Sequence, residues 1–395
     1  MDDPIVIVGA ARTPMAAFQG EFSSVTAPEL GAVAIKAALE RARVSPDSVD
    51  ELLFGCVLPA GLGQAPARQA ALGAGLSLGT PCTTINKMCG SGMKAAMLAY
   101  DGLIAGSASI AVAGGMESMT NAPYLVPKAR QGYRIGHGMI YDHMMLDGLE
   151  DAYEKGRAMG TFGEDCAAKY HFTREAQDAF AMESVRRAKA ATENGWFAAE
   201  IAPVVVPGKG GDVTIDTDEG PRRIKIEKIP SLKPAFKKDG TITAASSSSI
   251  NDGAAALVLM TESKAKALGL TPLARILGHS SFAAAPGWFT TAPVTAIKRL
   301  YDKLGLSTRD FDLFEINEAF AVVPMAAMVE HHIPHERINI HGGACALGHP
   351  IGASGARIVV TLMGALARTG GKRGLASLCI GGGEATALAI EMVGT

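Results

Sequence analysis

Short runs of β-branched and other apolar residues alternate along this chain with alanine-rich stretches whose apolar positions recur at helical spacing. Residues 5–8 read as a strand, 28–42 as a helix, 52–55 as a second strand and 64–74 as a second helix. In the first helix Thr26 is placed to cap, Pro28 falls in the first turn, and Leu30, Val33, Ala34 and Ala37 make the buried face. Residues 90–105 read as a helix that is apolar on nearly every side, as a central buried helix would be, and feed a strand at 110–113. Strands alternating with helices in this way predict an α/β fold.

The pattern recurs. Ser91-Gly-Met-Lys, a helix, a strand and then Gly114-Gly-Met-Glu have a counterpart in Ser354-Gly-Ala-Arg, helix, strand and Gly382-Gly-Glu. Coincidence among Gly- and Ala-rich segments is the alternative; duplication predicts two similar sheets packed through central helices, with strand ends meeting at a shared cleft. Residues 121–243 differ in texture, with more charge, many methionines, an amphipathic helix over 174–194 and loops at Gly208-Lys-Gly-Gly and Asp218-Glu-Gly-Pro. The expected division is therefore 1–120 plus 244–270 as an N-terminal half, 121–243 as an inserted loop or lid domain, and 271–395 as a C-terminal half.

With 395 residues the chain has room for two or three domains. Its net charge of −2 gives no global field toward nucleic acid or an anionic membrane, so neither is expected as a partner. Met1-Asp-Asp-Pro lacks the basic flank of a secretion signal, and the apolar stretches at 254–260 and 358–367 are too short or broken to span a bilayer; a cytoplasmic location is expected. The six cysteines form no C-x-x-C pair and read as reduced thiols. Cys56, Cys82, Cys166 and Cys345 are expected to be inert small hydrophobes.

Chemistry is expected at four other places. Cys89 lies in Asn86-Lys-Met-Cys-Gly-Ser-Gly, Asn317 opens Asn-Glu-Ala-Phe, His349 sits in Gly348-His-Pro-Ile-Gly-Ala-Ser-Gly, and Cys379 opens Cys-Ile-Gly-Gly-Gly. A thiol beside glycines stands exposed at a strand end while backbone N–H groups gather round whatever it binds, which suits sulfur chemistry on an acyl group. Cys89, at the start of a helix, is expected to have its pKa lowered. His349, in a run of small residues, is expected to face the cleft and take the Cys89 proton, and Cys379 to move a proton to or from carbon. His331, His332 and His341 read as surface or satisfied side chains. Zinc is disfavoured by the absence of closely spaced ligand pairs, so no metal is expected. A dinucleotide site is disfavoured because Gly9-Ala-Ala-Arg-Thr-Pro stands where G-x-G-x-x-G belongs. Residues 222–238 hold seven Lys or Arg against Glu227, and Arg222 and Arg223 are expected to meet phosphates, the rival reading being a solvated charged face.

These motifs, with Gly114-Gly-Met-Glu-Ser-Met, Asn251-Asp-Gly-Ala and residues 342–357, resemble those of the thiolase family over nearly the whole chain. The resemblance implies a duplicated, layered αβα fold with two five-stranded mixed sheets and an inserted loop domain, assembled as a dimer or a dimer of dimers. It implies coenzyme A and acyl-CoA thioesters as substrates and products, with no other cofactor, in a reversible ping-pong Claisen condensation. Cys89 would carry the acyl group, His349 would activate it, and Cys379 would exchange the α-proton. A water on Asn317 together with His349 would meet the enolate oxygen, and the N–H groups of Cys89 and Gly381 the other oxyanion. Ser248 would touch the pantetheine arm, and Leu149, Met159, Ala319 and Phe320 would line the tunnel.

Four places depart from the family pattern. Thr243-Ala-Ala-Ser-Ser-Ser-Ser-Ile replaces T-A-G-N-A-S-G-I, Ala158 stands where acetoacetyl-type members often have histidine, Trp288-Phe-Thr-Thr-Ala-Pro replaces M-G-x-G-P, and Glu384-Ala385 stands where many members carry Q-G or M-G. The last three are expected to flank the acyl pocket and bear on chain length. Acetoacetyl-CoA and the longer ketoacyl-CoA substrates of β-oxidation both stay open. Two other classes are a CoA- or lipid-binding protein without turnover and a ketoacyl-synthase-type condensing enzyme, which would use two histidines and one cysteine where this chain offers Cys379.

Overall fold

The computed structural model describes residues 3–208 and 210–394. Met1, Asp2, Lys209 and Thr395 fall outside the described residues, and with them parts of the amino-terminal flank and of the Gly208–Gly211 turn named above. In chain order the main elements are β1 (Ile5–Arg12), α1 (Ala27–Ala42), β2 (Glu51–Gly55), α2 (Pro66–Gly73), β3 (Cys82–Ile85), α3 (Ser91–Ile104) and β4 (Ile110–Ser118). Then come α4 (Met159–Tyr170), α5 (Arg174–Glu193), β5 (Asn251–Thr261), β6 (Ala274–Ala283), α6 (Ala292–Leu304), β7 (Leu313–Ile316), α7 (Val322–His331), α8 (Ser354–Thr369), β8 (Arg373–Ile380) and β9 (Glu384–Met392).

The duplication is visible in the sheet. One half runs β3-β2-β4-β5-β1, with β2 parallel to β3 and β4 and the remaining pairs antiparallel. The other half repeats that order and those directions as β7-β8-β9-β6. Its counterpart of β3 is reduced to a single parallel bridge between Phe314 and Ile338. The halves are also not two separate sheets: β1 pairs with β6 at Val6–Arg275 and Ile7–Ala274, making one continuous mixed sheet.

Strand side chains alternate between layers, as the two-residue period requires. Val6, Val8, Leu52, Phe54 and Val112 pack with Leu30, Ala34 and Ala67 of α1 and α2 on one outer face. Ile5, Ile7, Leu53 and Ala111 point the other way, onto α3 and α8, which also receive Ala376, Leu378, Leu388 and Ile390 from the second half. The outer face of that half is covered by α6 and α7, through Ile297, Leu300, Val322 and Val323. Strands buried on both faces read as continuous apolar runs, which is why they were legible.

The central helices meet backbone to backbone. A methyl added at Gly355 would stand 2.3 Å from the Met93 nitrogen, and one at Gly92 would stand 2.8 Å from the Ala356 nitrogen. Gly355→Ala is therefore expected to force α3 and α8 apart, costing about 1–3 kcal/mol as overpacking does, even though alanine suits a helix. A thermal melt checks this; a midpoint at or above that of the parent would mean the helices are not in contact there.

Two strands run further than the sequence suggests. β4 continues through Gly114 and Gly115 to Ser118, because these glycines admit neighbouring backbone rather than turn the chain: a methyl at Gly115 would lie 2.0 Å from the Gly352 carbonyl oxygen. β1 likewise continues to Arg12, whose buried guanidinium binds Glu200 at 2.6 Å and Asp218 at 2.7 Å. Between β4 and β5 the chain builds α4, which packs against the second half, and α5, capped by Thr173 and packed on Ala346 and Leu347. None of the described helices is long and apolar enough to cross a membrane.

Candidate active site

Cys89 sits in a tight turn between β3 and α3 that the sequence builds from its own side chains. Asn86 Oδ1 accepts from the Met88 N–H at 3.0 Å, Ser91 Oγ accepts from the Lys87 N–H at 2.8 Å, and the Ser91 hydroxyl donates to the Met88 carbonyl at 2.6 Å. Met88 is held at φ 46°, a left-handed conformation that a bulky residue adopts only when its surroundings impose it. The turn presents Cys89 directly before the helix. Its sulfur lies within reach of its own N–H and that of Gly381.

The expected lowering of the thiol pKa is corrected. Burial pushes Cys89 up to about 11, opposed by the N–H groups of Gly381 and Cys89 and reinforced by the Glu117 charge. A helix start is too weak to outweigh desolvation of a thiolate.

His349 is buried and follows the short turn Ala344–Leu347. That turn is clamped by Glu318, which accepts from Ser184 Oγ at 2.7 Å, Asn339 Nδ2 at 2.8 Å and the Cys345 N–H at 3.0 Å. Asn317, the neighbouring residue, brings its Nδ2 to 3.5 Å from both ring nitrogens of His349. His349 Nδ1 lies 2.6 Å from the Ser354 hydroxyl, so Nε2 is the nitrogen left for chemistry. Burial, followed by the Arg357 charge, holds the imidazole down to about 3, so it is neutral at neutral pH. The side-chain oxygen of Asn317 has no protein partner and is free to hold a ligand or water.

Cys379 is the last residue but one of β8, and the three glycines after Ile380 make the hairpin into β9, with Gly382 and Gly383 at φ 90° and 89°. It is not open to the cleft as expected but fully buried. Its thiol is raised well above the ordinary range by burial, with a further push from the Cys89 charge. The two sulfurs, 290 positions apart in sequence, therefore feel one another. A buried thiol of this kind stays protonated until a strong carbon base is generated beside it.

Two partners were not singled out from the sequence. Ser354, five residues after His349, orients the ring; its place in Gly348-His-Pro-Ile-Gly-Ala-Ser was the available signal. Glu117 accepts from the N–H groups of Val57 at 3.0 Å, Leu58 at 3.1 Å and Gly352 at 2.8 Å, tying the end of β4 to the loop after His349. Burial raises it to about 7 against those three donors.

A cavity of about 250 Å³ opens on His349 and is lined by Leu149, Ala158, Met159, Phe236, Ser248 and Phe320 among others. Ala319 holds the Ser248 N–H through its carbonyl at 2.9 Å. The serine run is well tied, since Ser246 Oγ accepts from the Thr243 N–H at 2.9 Å and the Ser247 hydroxyl donates to the Thr243 carbonyl at 2.8 Å. Ser249, standing for glycine, is not among the residues with positive φ, so the loop does not need glycine there. Its carbonyl accepts from the His349 N–H at 3.2 Å.

Ser249 also borders a second cavity of about 430 Å³, walled by Arg223, Lys225, Lys228, Ile229, Leu232 and Ala245. Arg222 does not line it: its guanidinium turns to Glu21 at 2.6 Å and the Asp218 carbonyl at 3.2 Å. Of the departures expected at the acyl pocket, only Ala158 is in its wall. Phe289 is buried against Phe162 behind α4, and the Lys169 ammonium lies over the Trp288 ring. Glu384 pairs with Lys87.

Residues 5–263 match the family model of the thiolase N-terminal domain, and residues 270–392 that of the thiolase C-terminal domain. Acetyl-CoA acetyltransferase 1 of Arabidopsis thaliana is 51% identical over 392 residues, covering 98% of this chain and 94% of its own. An acetyl-CoA acetyltransferase of Cupriavidus necator is 50% identical over 389 residues, covering 98% and 99%. A crystal structure of a thiolase from Ascaris suum in complex with coenzyme A superposes with a TM-score of 0.93 at 42% identity, over 99% of this chain and 100% of that one.

Proposed function

Since this chain belongs to the thiolase family, we propose that it transfers acyl groups between coenzyme A thioesters, by thiolysis of a 3-ketoacyl-CoA and, in reverse, by Claisen condensation. The observation that carries the reading is the Cys89 sulfur set beside the Gly381 N–H and the Cys379 thiol, together with a His349–Asn317 pair whose imidazole opens on a cavity that meets a basic-walled one at Ser249.

In thiolysis Cys89 Sγ attacks the 3-keto carbon while His349 Nε2 takes the thiol proton. The N–H groups of Cys89 and Gly381 receive the oxyanion, each such donor being worth roughly 3–4 kcal/mol of barrier. Collapse breaks the C2–C3 bond, leaving an acyl thioester on Cys89 and the enolate of acetyl-CoA, whose oxygen faces His349 and a water on Asn317. Cys379 gives the enolate its proton. An incoming CoA thiol passes its proton to Cys379 and attacks the acyl group, and the departing Cys89 thiolate recovers its proton from His349.

The nucleotide end of CoA is assigned to the cavity of Arg223, Lys225 and Lys228, and the pantetheine arm to the passage past Ser248 and Ser249. Acetoacetyl-CoA is the favoured ketoacyl substrate, supported by the relatives' names and by an inner cavity of only about 250 Å³. Thiolysis of acetoacetyl-CoA is expected to exceed that of an eight-carbon ketoacyl-CoA by about tenfold in kcat/KM, matching about 1.4 kcal/mol of misfit. Equal rates would move the protein to the broad-range enzymes of β-oxidation; no turnover of either would overturn the enzyme reading.

We infer a homo-oligomer, a dimer or dimer of dimers. Ile135, Met139 and Ile140 lie exposed near the Tyr124–Leu125 and Tyr141–Asp142 ribbon, an apolar surface of a kind that proteins cover, and β3 is an open edge strand. Sedimentation is expected to show at least two copies, and Ile135→Lys to give a smaller assembly; an unchanged assembly would remove this segment from the interface. The six free cysteines agree with a reducing location such as the cytoplasm. We place the inserted loop domain at residues 121–243, between an amino-terminal half of 1–120 plus 244–270 and a carboxy-terminal half of 271–395.

A further inference from the structure

Lys87 lies two residues before Cys89, and Glu384 lies three residues after Gly381. Their side chains form an ion pair that joins the two halves of the molecule, the lysine about three-quarters buried and the glutamate about two-thirds. We propose that Lys87 and Glu384 are positioning residues, a clasp that holds the Gly381 N–H on the Cys89 sulfur. The inference rests on the acyl-transfer reading for its consequence in turnover, though not for its geometry.

The need for a clasp follows from the glycine turn. Gly381, Gly382 and Gly383 carry no side chains to fix the hairpin, and glycine loses more conformational freedom on ordering than any other residue. The N–H that reaches the sulfur therefore has to be located from outside the turn. On one side Ile380 does this by packing on Gly90, where an added methyl would come within 2.3 Å of its side chain. On the other, Glu384 is held opposite Ile380 by the β8–β9 register, and its carboxylate grips Lys87. Lys87 is itself anchored, its N–H on Ser91 Oγ at 2.8 Å and its carbonyl accepting from the Gly90 N–H at 3.0 Å. The two contacts tie residues 87 and 90, on either side of Cys89 in the chain, to residues 384 and 380, on either side of Gly381. A single ion pair that still touches solvent contributes little to overall stability, so its main effect is local.

The test compares Lys87→Met, Glu384→Gln and the exchanged pair Lys87→Glu with Glu384→Lys. Iodoacetamide alkylation of Cys89 at mildly alkaline pH and kcat for acetoacetyl-CoA thiolysis are measured on each. Each single variant is expected to slow alkylation about tenfold and to lower kcat similarly with little change in KM, because the sulfur anion and the oxyanion lose the same donor. The exchanged pair is expected to recover both to within about threefold, while thermal midpoints barely move. Single variants that alkylate as fast as the parent, or an exchanged pair as slow as the singles, would overturn the clasp. Alkylation needs no turnover, so a parent protein that alkylates as expected yet transfers no acyl group would count against the acyl-transfer reading alone.

Discussion

Cys89→Ala is expected to lower thiolysis of acetoacetyl-CoA by roughly ten-thousand-fold or more, since removing the nucleophile of a covalent mechanism leaves only binding and the oxyanion donors. The fold should survive, because the turn is held by Asn86, Lys87 and Ser91 rather than by the sulfur. The parent enzyme carries a second signature. With the thiol near 11 and the imidazole near 3, both groups are neutral in the resting site. The Cys89 proton passes to His349 as the sulfur attacks, and the neutral pair that holds it persists from about pH 5 to about pH 9, so Cys89 acylation by acetyl-CoA should change little across that range. Stopped-flow measurement of CoA release checks this, and a rate climbing about tenfold per pH unit through that range would indicate attack by a free thiolate formed without His349.

Cys379→Ala is expected to separate the two half-reactions. Acylation of Cys89 by acetyl-CoA needs Cys379 only to protonate the departing CoA thiolate, itself a stable anion, and should fall only a few-fold, whereas condensation to acetoacetyl-CoA removes a proton from carbon and should fall by about 10²–10⁴, the usual range for a lost general acid or base. The complete burial of Cys379 makes the split sharp, since no bulk water stands ready to replace the thiol. Measuring acetyl exchange between acetyl-CoA and labelled CoA alongside condensation decides it. Equal losses in both reactions would mean that Cys379 only shapes the site.

Much of this was legible because the chain is consistent at several levels. The strands at 5–8 and 52–55 are buried on both faces, so they announce themselves as apolar runs, and the paired Ser-Gly starts of α3 and α8 betray the duplication. What the sequence hid were contacts between distant segments. Nothing local shows that Gly115 makes room for the Gly352 carbonyl, that β1 and β6 join the halves, or that the fifth strand of the second half shrinks to Phe314–Ile338.

Cys89, His349 and Cys379 were found from their glycine-rich settings and Asn317 from its Asn-Glu-Ala-Phe motif, but the protonation of the thiols and the imidazole was not. Desolvation raises both thiols and lowers the imidazole, and burial depth is a property of the packed fold. Arg222 and Arg223 looked alike in a basic run, and only tertiary partners separate them: Glu21 draws Arg222 away while Arg223 stays on the cavity wall. Trp288 and Phe289 were placed at the pocket by their position in a motif, yet they brace α4 from behind.

The covalent intermediate is the most direct test. The protein is mixed with acetyl-CoA alone, quenched in acid, digested and analysed by mass spectrometry. One acetyl group is expected on the peptide containing Cys89 and none on the peptides containing Cys379 or the other four cysteines, with the label discharged when CoA is added before the quench. Acetyl on a different cysteine, or an unmodified Cys89 peptide while acyl transfer proceeds, would contradict the account.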